Sequence, residues 1–209
     1  ATRTIITLSA RPTQIRTARR AGGTAGAVWF ALWAPAAAPA QTSRAPLVVT
    51  LDDNYPPYVF RGADGNLEGS VPDQWALWSR KTGVGVDLRA MEWGKAQQFM
   101  REGQADVIDT VFLTDERKQL YDFTPPYARI QVPVYAHKSL GGLADVASLK
   151  GFTVGVKAGD AVIGHLTGRG IETLQEFPSY EAIVQAAKNQ EIKVFSVDEP
   201  AAVYFMYKL

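Results

Sequence analysis

The hydrophobic pattern from residue 46 onward alternates between short apolar runs and stretches of helical periodicity. The run at residues 47–51 is apolar and β-branched, which predicts a buried strand. Val71, Trp75 and Trp78 recur at i, i+4 and i+7, which predicts a helix with these side chains on its buried face. We expect this helix to end near Gly83, because glycine can adopt the left-handed conformation that terminates helices.

The same alternation continues to the end of the chain in two series. Further strands are predicted over residues 86–88, 105–108, 153–156, 173–177 and 194–197. Further helices are predicted over residues 94–102, 161–166, 180–189 and 199–209. Thr114 is suited to cap a short helix between the two series. Residues 130–136 are expected to form an extended connection.

Continuous apolar strands separated by helices are typical of parallel sheets that are covered on both faces. Two such series joined by one extended stretch predict an α/β protein with two lobes. We expect the first lobe over residues 46–129 and the second over residues 130–209.

The first 40 residues differ from the rest in charge, because they contain five arginines and no acidic residue. An uncharged run over residues 21–40 follows Arg19 and Arg20 and ends in Ala38-Pro39-Ala40. This arrangement predicts a secretory signal peptide over residues 1–40 and a periplasmic location. An uncleaved membrane anchor is the alternative, although the apolar core of roughly a dozen residues is shorter than the about 20 that span a bilayer.

Composition excludes several functional classes. Without the leader, 17 of the 22 basic residues remain against 21 acidic ones, a net charge of −4, which argues against nucleic-acid binding. The chain has no cysteine, so disulfides and thiolate metal sites are excluded. His137 and His165 are not at a metal-ligand spacing. No metal or cofactor is therefore predicted.

Four groups of motifs follow one another along the chain. They are DDNYPPY at 52–58 with GNLEG at 65–69, EW at 92–93 with ADVI at 105–108, TDER at 114–117 with DFTPPY at 122–127, and LKGFTVGV at 149–156. In this order and spacing the chain resembles bacterial periplasmic solute-binding proteins of family 3. Proteins of this type serve polar amino-acid ABC transporters and also occur as periplasmic sensor domains.

The resemblance implies a periplasmic-binding-protein (Venus-flytrap) fold, whose two lobes close on a small ligand by hinge motion. It also implies a further crossover and a final segment that returns to the first lobe. Neither follows Leu209, so we expect the fold to be incomplete at its C-terminus.

The resemblance assigns the ligand's charged groups to two residues. Arg117 ends the Thr-x-x-Arg motif and is implied to hold a ligand carboxylate, which a planar guanidinium can bind through paired hydrogen bonds. The alternative is a solvated arginine beside Lys118. Asp198 is implied to bind a ligand amino group; aspartate also suits the N-cap of the following helix, and both roles can coexist.

Further candidates line the implied cleft. Tyr55 and Trp93 match aromatic positions that contact ligand, with ordinary packing as the alternative. Thr110 retains a hydroxyl where the family has a run of small hydroxyl residues. Asp109 and Phe112 depart from that run, and a carboxylate at 109 can meet a cationic ligand or pair with an arginine.

Asp160 also departs from the family pattern. It lies before a predicted helix, where backbone amides can hold an anion and where the family commonly has a hydroxyl residue. A carboxylate there repels a ligand carboxylate unless it is offset, and Lys157 is a candidate for that offset. A surface loop is the simpler alternative.

The predicted function is periplasmic binding of a small amino-acid-like solute for an ABC transporter, with a membrane permease as partner. The alternative is the periplasmic sensor domain of a histidine kinase or a diguanylate cyclase/phosphodiesterase, with its own downstream signalling domains as partner. A third alternative is an enzyme on this scaffold, such as a dehydratase of prephenate-like acids or the binding part of a peptidoglycan-cleaving enzyme. The chain lacks Gly-x-Ser-x-Gly and His-Glu-x-x-His motifs, and we predict that it is not an enzyme.

Overall fold

The computed structural model of this protein describes residues 2–7 and 45–209. Residues 8–40 of the predicted signal peptide lie outside the described residues, so the leader and its anchor alternative stay predictions. Within the described ranges, each helix is too short or too polar to traverse a bilayer.

Each strand and helix predicted from residue 47 onward has a counterpart in the structure, whereas the strands at 2–7, 54–55, 59–61, 67–68 and 128–129 were not predicted. The strands are β1 Thr2–Thr7, β2 Leu47–Asp52, β3 Asn54–Tyr55, β4 Val59–Arg61, β5 Leu67–Glu68, β6 Val86–Met91, β7 Val107–Phe112, β8 Ala128–Arg129, β9 Val134–Ala136, β10 Val154–Lys157, β11 Leu174–Phe177 and β12 Val194–Ser196. The α-helices are α1 Ser70–Thr82, α2 Trp93–Arg101, α3 Ala161–Thr167, α4 Tyr180–Lys188 and α5 Glu199–Lys208. Two short 3₁₀ helices span Arg117–Gln119 and Ala147–Leu149.

The first lobe is built on a five-stranded sheet in the order β6-β2-β7-β1-β8. Strand β2 is parallel to both β6 and β7, whereas β1 is antiparallel to β7 and β8. All six residues of β7 are buried, as expected for a strand covered on both faces. Strands β3, β4 and β5 form a separate small antiparallel sheet.

The second lobe is built on a four-stranded sheet in the order β11-β10-β12-β9. Strand β10 is parallel to β11 and β12, and β9 is an antiparallel edge. The chain passes from the first sheet to the second between β8 and β9, within the predicted extended connection.

Helix α1 confirms one sequence prediction and corrects another. Gly83 caps the helix in the left-handed conformation, with φ of 73°. Trp75 is buried at 7% exposure, but Trp78 is 38% exposed, so its predicted core position is wrong. Trp75 is the inner of the two side chains, because its indole N–H donates a hydrogen bond to buried Asp109. The Trp78 ring lies edge-on against the Trp75 ring, with 5.6 Å between the ring centroids.

Candidate functional site

A small cavity lies between the two sheets, beyond the carboxyl ends of their parallel strands. Its lining residues are Asp52, Tyr55, Trp93, Thr110, Phe112 and Arg117 from the first lobe and Asp160, Tyr180 and Asp198 from the second. The cavity volume is about 10 Å³, which is close to what one water molecule requires. The two lobes are in direct contact beside it.

Arg117 is a buried cation whose described hydrogen-bond acceptors are all neutral. The residue is 8% exposed, which argues against a solvated arginine. Its guanidinium donates to the Phe112 carbonyl at 3.3 Å, to Gln97 Oε1 at 3.4 Å and, across the cleft, to the Gly159 carbonyl at 3.0 Å. No described carboxylate forms an ion pair with it. Burial lowers the pKa of Arg117, and the charge of Asp160 opposes this shift.

The Thr-x-x-Arg motif fixes Arg117 by local geometry. The Thr114 hydroxyl accepts a hydrogen bond from the Arg117 backbone N–H at 3.2 Å, as in a helix cap. The guanidinium carbon lies 5.7 Å from the centroid of the Trp93 ring, within cation–π range. The neighbouring Lys118 points to solvent and pairs with Asp115 at 2.7 Å.

Asp198 is fully buried at the start of α5. The Tyr55 hydroxyl, from the first lobe, donates to Asp198 Oδ2. Asp198 occupies the N-cap position but forms no side-chain hydrogen bond to the helix backbone. Its carboxylate is thus directed toward the other lobe rather than used for capping.

A single carbonyl joins the lobes beside Arg117. Gly159 O accepts hydrogen bonds from Trp93 Nε1 at 3.1 Å, from Gln97 Nε2 at 3.1 Å and from Arg117. Gly159 has φ of +70°, and a Cβ atom there would lie 2.6 Å from Gln97 Nε2. Glycine is therefore favoured both by the backbone conformation and by the close approach.

Asp160 and Lys157 do not pair with each other as their sequence proximity suggested. Asp160 caps α3 by accepting from the Val162 N–H at 3.3 Å, and the Tyr180 hydroxyl donates to it at 2.6 Å. Lys157 instead forms a buried ion pair with Asp52 of the first lobe. Burial, followed by the charge of Asp160, raises the pKa of Tyr180 well above its ordinary value.

Asp109 and Thr110 point in different directions. Asp109 does not line the cavity, because its carboxylate accepts hydrogen bonds from Trp75 Nε1 at 2.8 Å and from the Tyr127 hydroxyl at 2.9 Å. Nor does it pair with Arg117. Thr110 does line the cavity and adopts φ of 63°, which is unusual for a β-branched residue. Its buried hydroxyl has no hydrogen-bond partner among the described residues.

The structure thus brings six of the candidate residues to one cavity and leaves Asp109 outside it. Sequence reasoning missed Asp52 and Tyr180 and gave Lys157 a different partner. Asp52 ends β2, Lys157 ends β10, and Tyr180 begins α4 shortly after β11. The rule that ligands lie beyond the carboxyl ends of parallel strands, applied to every strand, would have named all three.

Metal binding finds no geometric support in the part of the chain that the structure describes. No group of three histidine, cysteine, aspartate or glutamate side chains there lies close enough to hold a metal ion.

Comparisons with known proteins agree with the described fold. A family model for bacterial extracellular solute-binding proteins, family 3, matches residues 47–190. The L-cystine-binding protein TcyJ of Escherichia coli (strain K12) is 29% identical over 161 residues, covering 74% of this chain and 58% of that protein. The chain therefore spans little more than half the length of this relative.

Solved structures confirm the predicted two-lobed α/β fold class. An ancestral arginine-binding protein bound to arginine matches with a TM-score of 0.72 and 24% identity, covering 79% of this chain and 75% of that one. A histidine kinase sensor domain with similarity to periplasmic binding proteins matches with a TM-score of 0.75 and 21% identity, covering 79% and 73%. At these identities the likeness concerns the fold alone.

Proposed function

Because the chain belongs to family 3 of the bacterial extracellular solute-binding proteins, we propose that it binds a small amino-acid-like solute for an ABC transporter by closing two lobes around it. One observation carries the proposal: Arg117 from the first lobe and Asp198 from the second line the same cavity. A cation and an anion on opposite walls match the two charges of a zwitterion.

In this proposal Arg117 binds the ligand carboxylate. Its guanidinium exchanges weak neutral acceptors for paired, charge-assisted hydrogen bonds, which are about twice as strong as neutral ones. Asp198 accepts from the ligand ammonium in place of the Tyr55 hydroxyl. The Thr110 hydroxyl supplies a further hydrogen bond, and the faces of Tyr55 and Trp93 contact the aliphatic atoms.

The protein acts in the periplasm in this proposal, exported by the signal peptide predicted over residues 1–40. Opening of the lobes admits the solute, and closure around it presents the loaded protein to a membrane permease. In the structure described, bonds to Gly159 O and between Tyr55 and Asp198 join the lobes.

Thermal-shift measurements on the full-length protein test the proposal. We expect a subset of L-α-amino acids to raise the melting temperature, because a ligand that binds only the folded state stabilises it by mass action. The matched amine without the carboxylate and the matched acid without the amino group should give no shift. Equal stabilisation by the decarboxylated analogue would overturn the proposal.

A sensor domain is the second candidate, and two lining residues favour it. Phe112 and Asp160 replace the small hydroxyl residues that the resemblance to transport proteins leads us to expect, and Asp160 brings a carboxylate close to Arg117. The complete gene separates the two functions. A membrane-spanning helix followed by a histidine kinase or diguanylate cyclase/phosphodiesterase domain would support sensing, whereas a stop codon soon after the second lobe would support transport.

A further inference from the structure

Lys157 and Asp52 form an ion pair that joins the two lobes beside the cavity. Both side chains are buried, at 1% and 5% exposure. The Lys157 ammonium also lies 4.5 Å from the centroid of the Tyr180 ring, within cation–π range. Asp52 accepts a second hydrogen bond from the Asn54 backbone N–H at 3.1 Å. The ammonium therefore sits between a carboxylate of one lobe and an aromatic face of the other.

We propose that Lys157 neutralises Asp52 and that this ion pair, which we call the latch, holds the two lobes together. The same pairing disfavours ligands with a cationic side chain. This inference rests on the proposed binding of an amino-acid-like solute. The inference adds Lys157, which is not among the lining residues, as a residue that selects among such solutes.

The latch follows from the position of the two charges. Asp52 ends β2 of the first lobe and Lys157 ends β10 of the second, so the pair exists only when the lobes are together. When the lobes separate, water solvates each charge. If one partner is removed, closure buries the other charge alone, and this is strongly unfavourable. The pair therefore ties closure to the presence of both side chains.

Selectivity follows from the charges on the cavity wall. Asp52, Asp160 and Asp198 line the cavity, and Arg117 is the cation among the lining residues. Lys157 is not among the lining residues, and it occupies the carboxylate of Asp52. A ligand cation would have to displace an ammonium that is tethered in place and so has a high effective concentration. Without Lys157, the same carboxylate faces the ligand unpaired.

The first test compares L-arginine with L-citrulline, which share a shape and differ in side-chain charge. In Lys157→Met the affinity for arginine relative to citrulline should rise about tenfold or more, as for other close charge pairs. Asp52→Asn added to this variant should remove the gain. Lys118→Met, which removes an exposed lysine paired with Asp115, should leave the ratio unchanged. An unchanged ratio in Lys157→Met would overturn the selectivity.

The second test uses n-propylammonium chloride and does not depend on knowing the ligand. In Lys157→Ala, which removes three carbons and the ammonium, this ion should raise the melting temperature because it restores the missing group beside Asp52, whereas neutral 1-propanol should not. The wild type and the double variant with Asp52→Asn should not respond. If the melting temperature of Lys157→Ala rises no more than that of the wild type, the proposed latch is wrong. The two tests use different variants, so failure of one variant to fold leaves the other.

The outcomes separate the inference from the proposed function. Rescue by n-propylammonium without binding of any α-amino acid would overturn the function and keep the role of Lys157. Amino-acid binding with no rescue and an unchanged arginine-to-citrulline ratio would overturn the role of Lys157 and keep the function.

Discussion

Arg117 and Lys157 are both buried cations beside the same cavity, but their partners differ in kind. The guanidinium of Arg117 donates to two backbone carbonyls and one side-chain amide. The ammonium of Lys157 pairs with the Asp52 carboxylate and lies over the Tyr180 ring. Arg117 lines the cavity, whereas Lys157 is not among the lining residues and contacts two of them, Asp52 and Tyr180.

The difference separates a cation that remains available to a ligand from one that the fold already uses. A buried cation held by neutral dipoles keeps its attraction for an anion, since a carboxylate makes stronger hydrogen bonds than a carbonyl does. A buried cation paired with a carboxylate loses more than it gains if that partner is exchanged. Variants of Lys157 should therefore mainly lose stability against unfolding, and variants of Arg117 should mainly lose ligand affinity.

Lys157→Met should give the largest change in stability. It leaves Asp52 buried without its partner, and breaking a buried ion pair in this way costs about 3–5 kcal/mol. Urea unfolding of the full-length protein measures the loss. Lys118→Met removes the exposed pair with Asp115, which solvent screens, and should cost much less. Similar losses for the two variants would mean that the buried pair contributes no more than a surface pair.

Arg117→Ala should instead act mainly on ligand binding. Removal of the cation leaves the bound carboxylate buried and unpaired, so affinity should fall by about 2–5 kcal/mol in calorimetry. Arg117→Lys should recover only part of this, because an ammonium lacks the planar fork of donors. Lys118→Ala is the matched control and should bind normally. Unchanged affinity in Arg117→Ala would contradict its assigned role.

Much of the fold could be predicted because its signals are local. Apolar runs and helical periodicity placed the strands and helices, and Gly83 marked the end of α1 because the left-handed cap depends on a single residue. Arg117 could be located because its turn is held by Thr114, three residues away.

The partners of the charged residues could not be predicted, because they depend on contacts between distant segments. Lys157 and Asp52 are 105 positions apart, and only closure of the lobes brings them together. Asp109 accepts a hydrogen bond from Trp75, which is 34 positions away. The inner face of the helix that carries Trp75 was itself predicted only in part. Sequence patterns identify buried faces, but they do not specify which polar groups meet there.

Gly159→Ala should weaken closure without removing any charge, and it tests the contact that Arg117 makes across the cleft. Alanine at φ of +70° costs about 1–2 kcal/mol in the left-handed region, and its Cβ approaches Gln97. Affinity should fall by a similar amount as the lobes are held slightly apart. Gly141→Ala, at a glycine whose added Cβ meets nothing within 4 Å, is the control. Equal behaviour of the two variants would show that Gly159 O does not control closure.

Tyr180 tests the surroundings of Lys157 through the pH dependence of stability. The folded protein holds the Tyr180 proton more tightly than the unfolded chain, because burial and then Asp160 raise its pKa well above the ordinary value of 10.0. The stability that this provides is fully present below about pH 10 and is lost as pH rises through the folded-state pKa.

Tyr180→Phe should therefore be less stable than the wild type at neutral pH, by about 1–3 kcal/mol, since Asp160 loses a buried hydrogen bond. Above about pH 10 the wild type should lose stability faster, so the difference between the two proteins narrows. Tyr135→Phe is the control, because burial and then the charge of Glu199 raise the pKa of Tyr135, but its hydroxyl is not the group that donates to Asp160. Urea unfolding across pH 7–11 measures all three proteins. Parallel curves of unfolding free energy against pH for the wild type and Tyr180→Phe would mean that folding does not raise the pKa of Tyr180. The position of the Tyr180 ring beside Lys157 would then depend on packing alone.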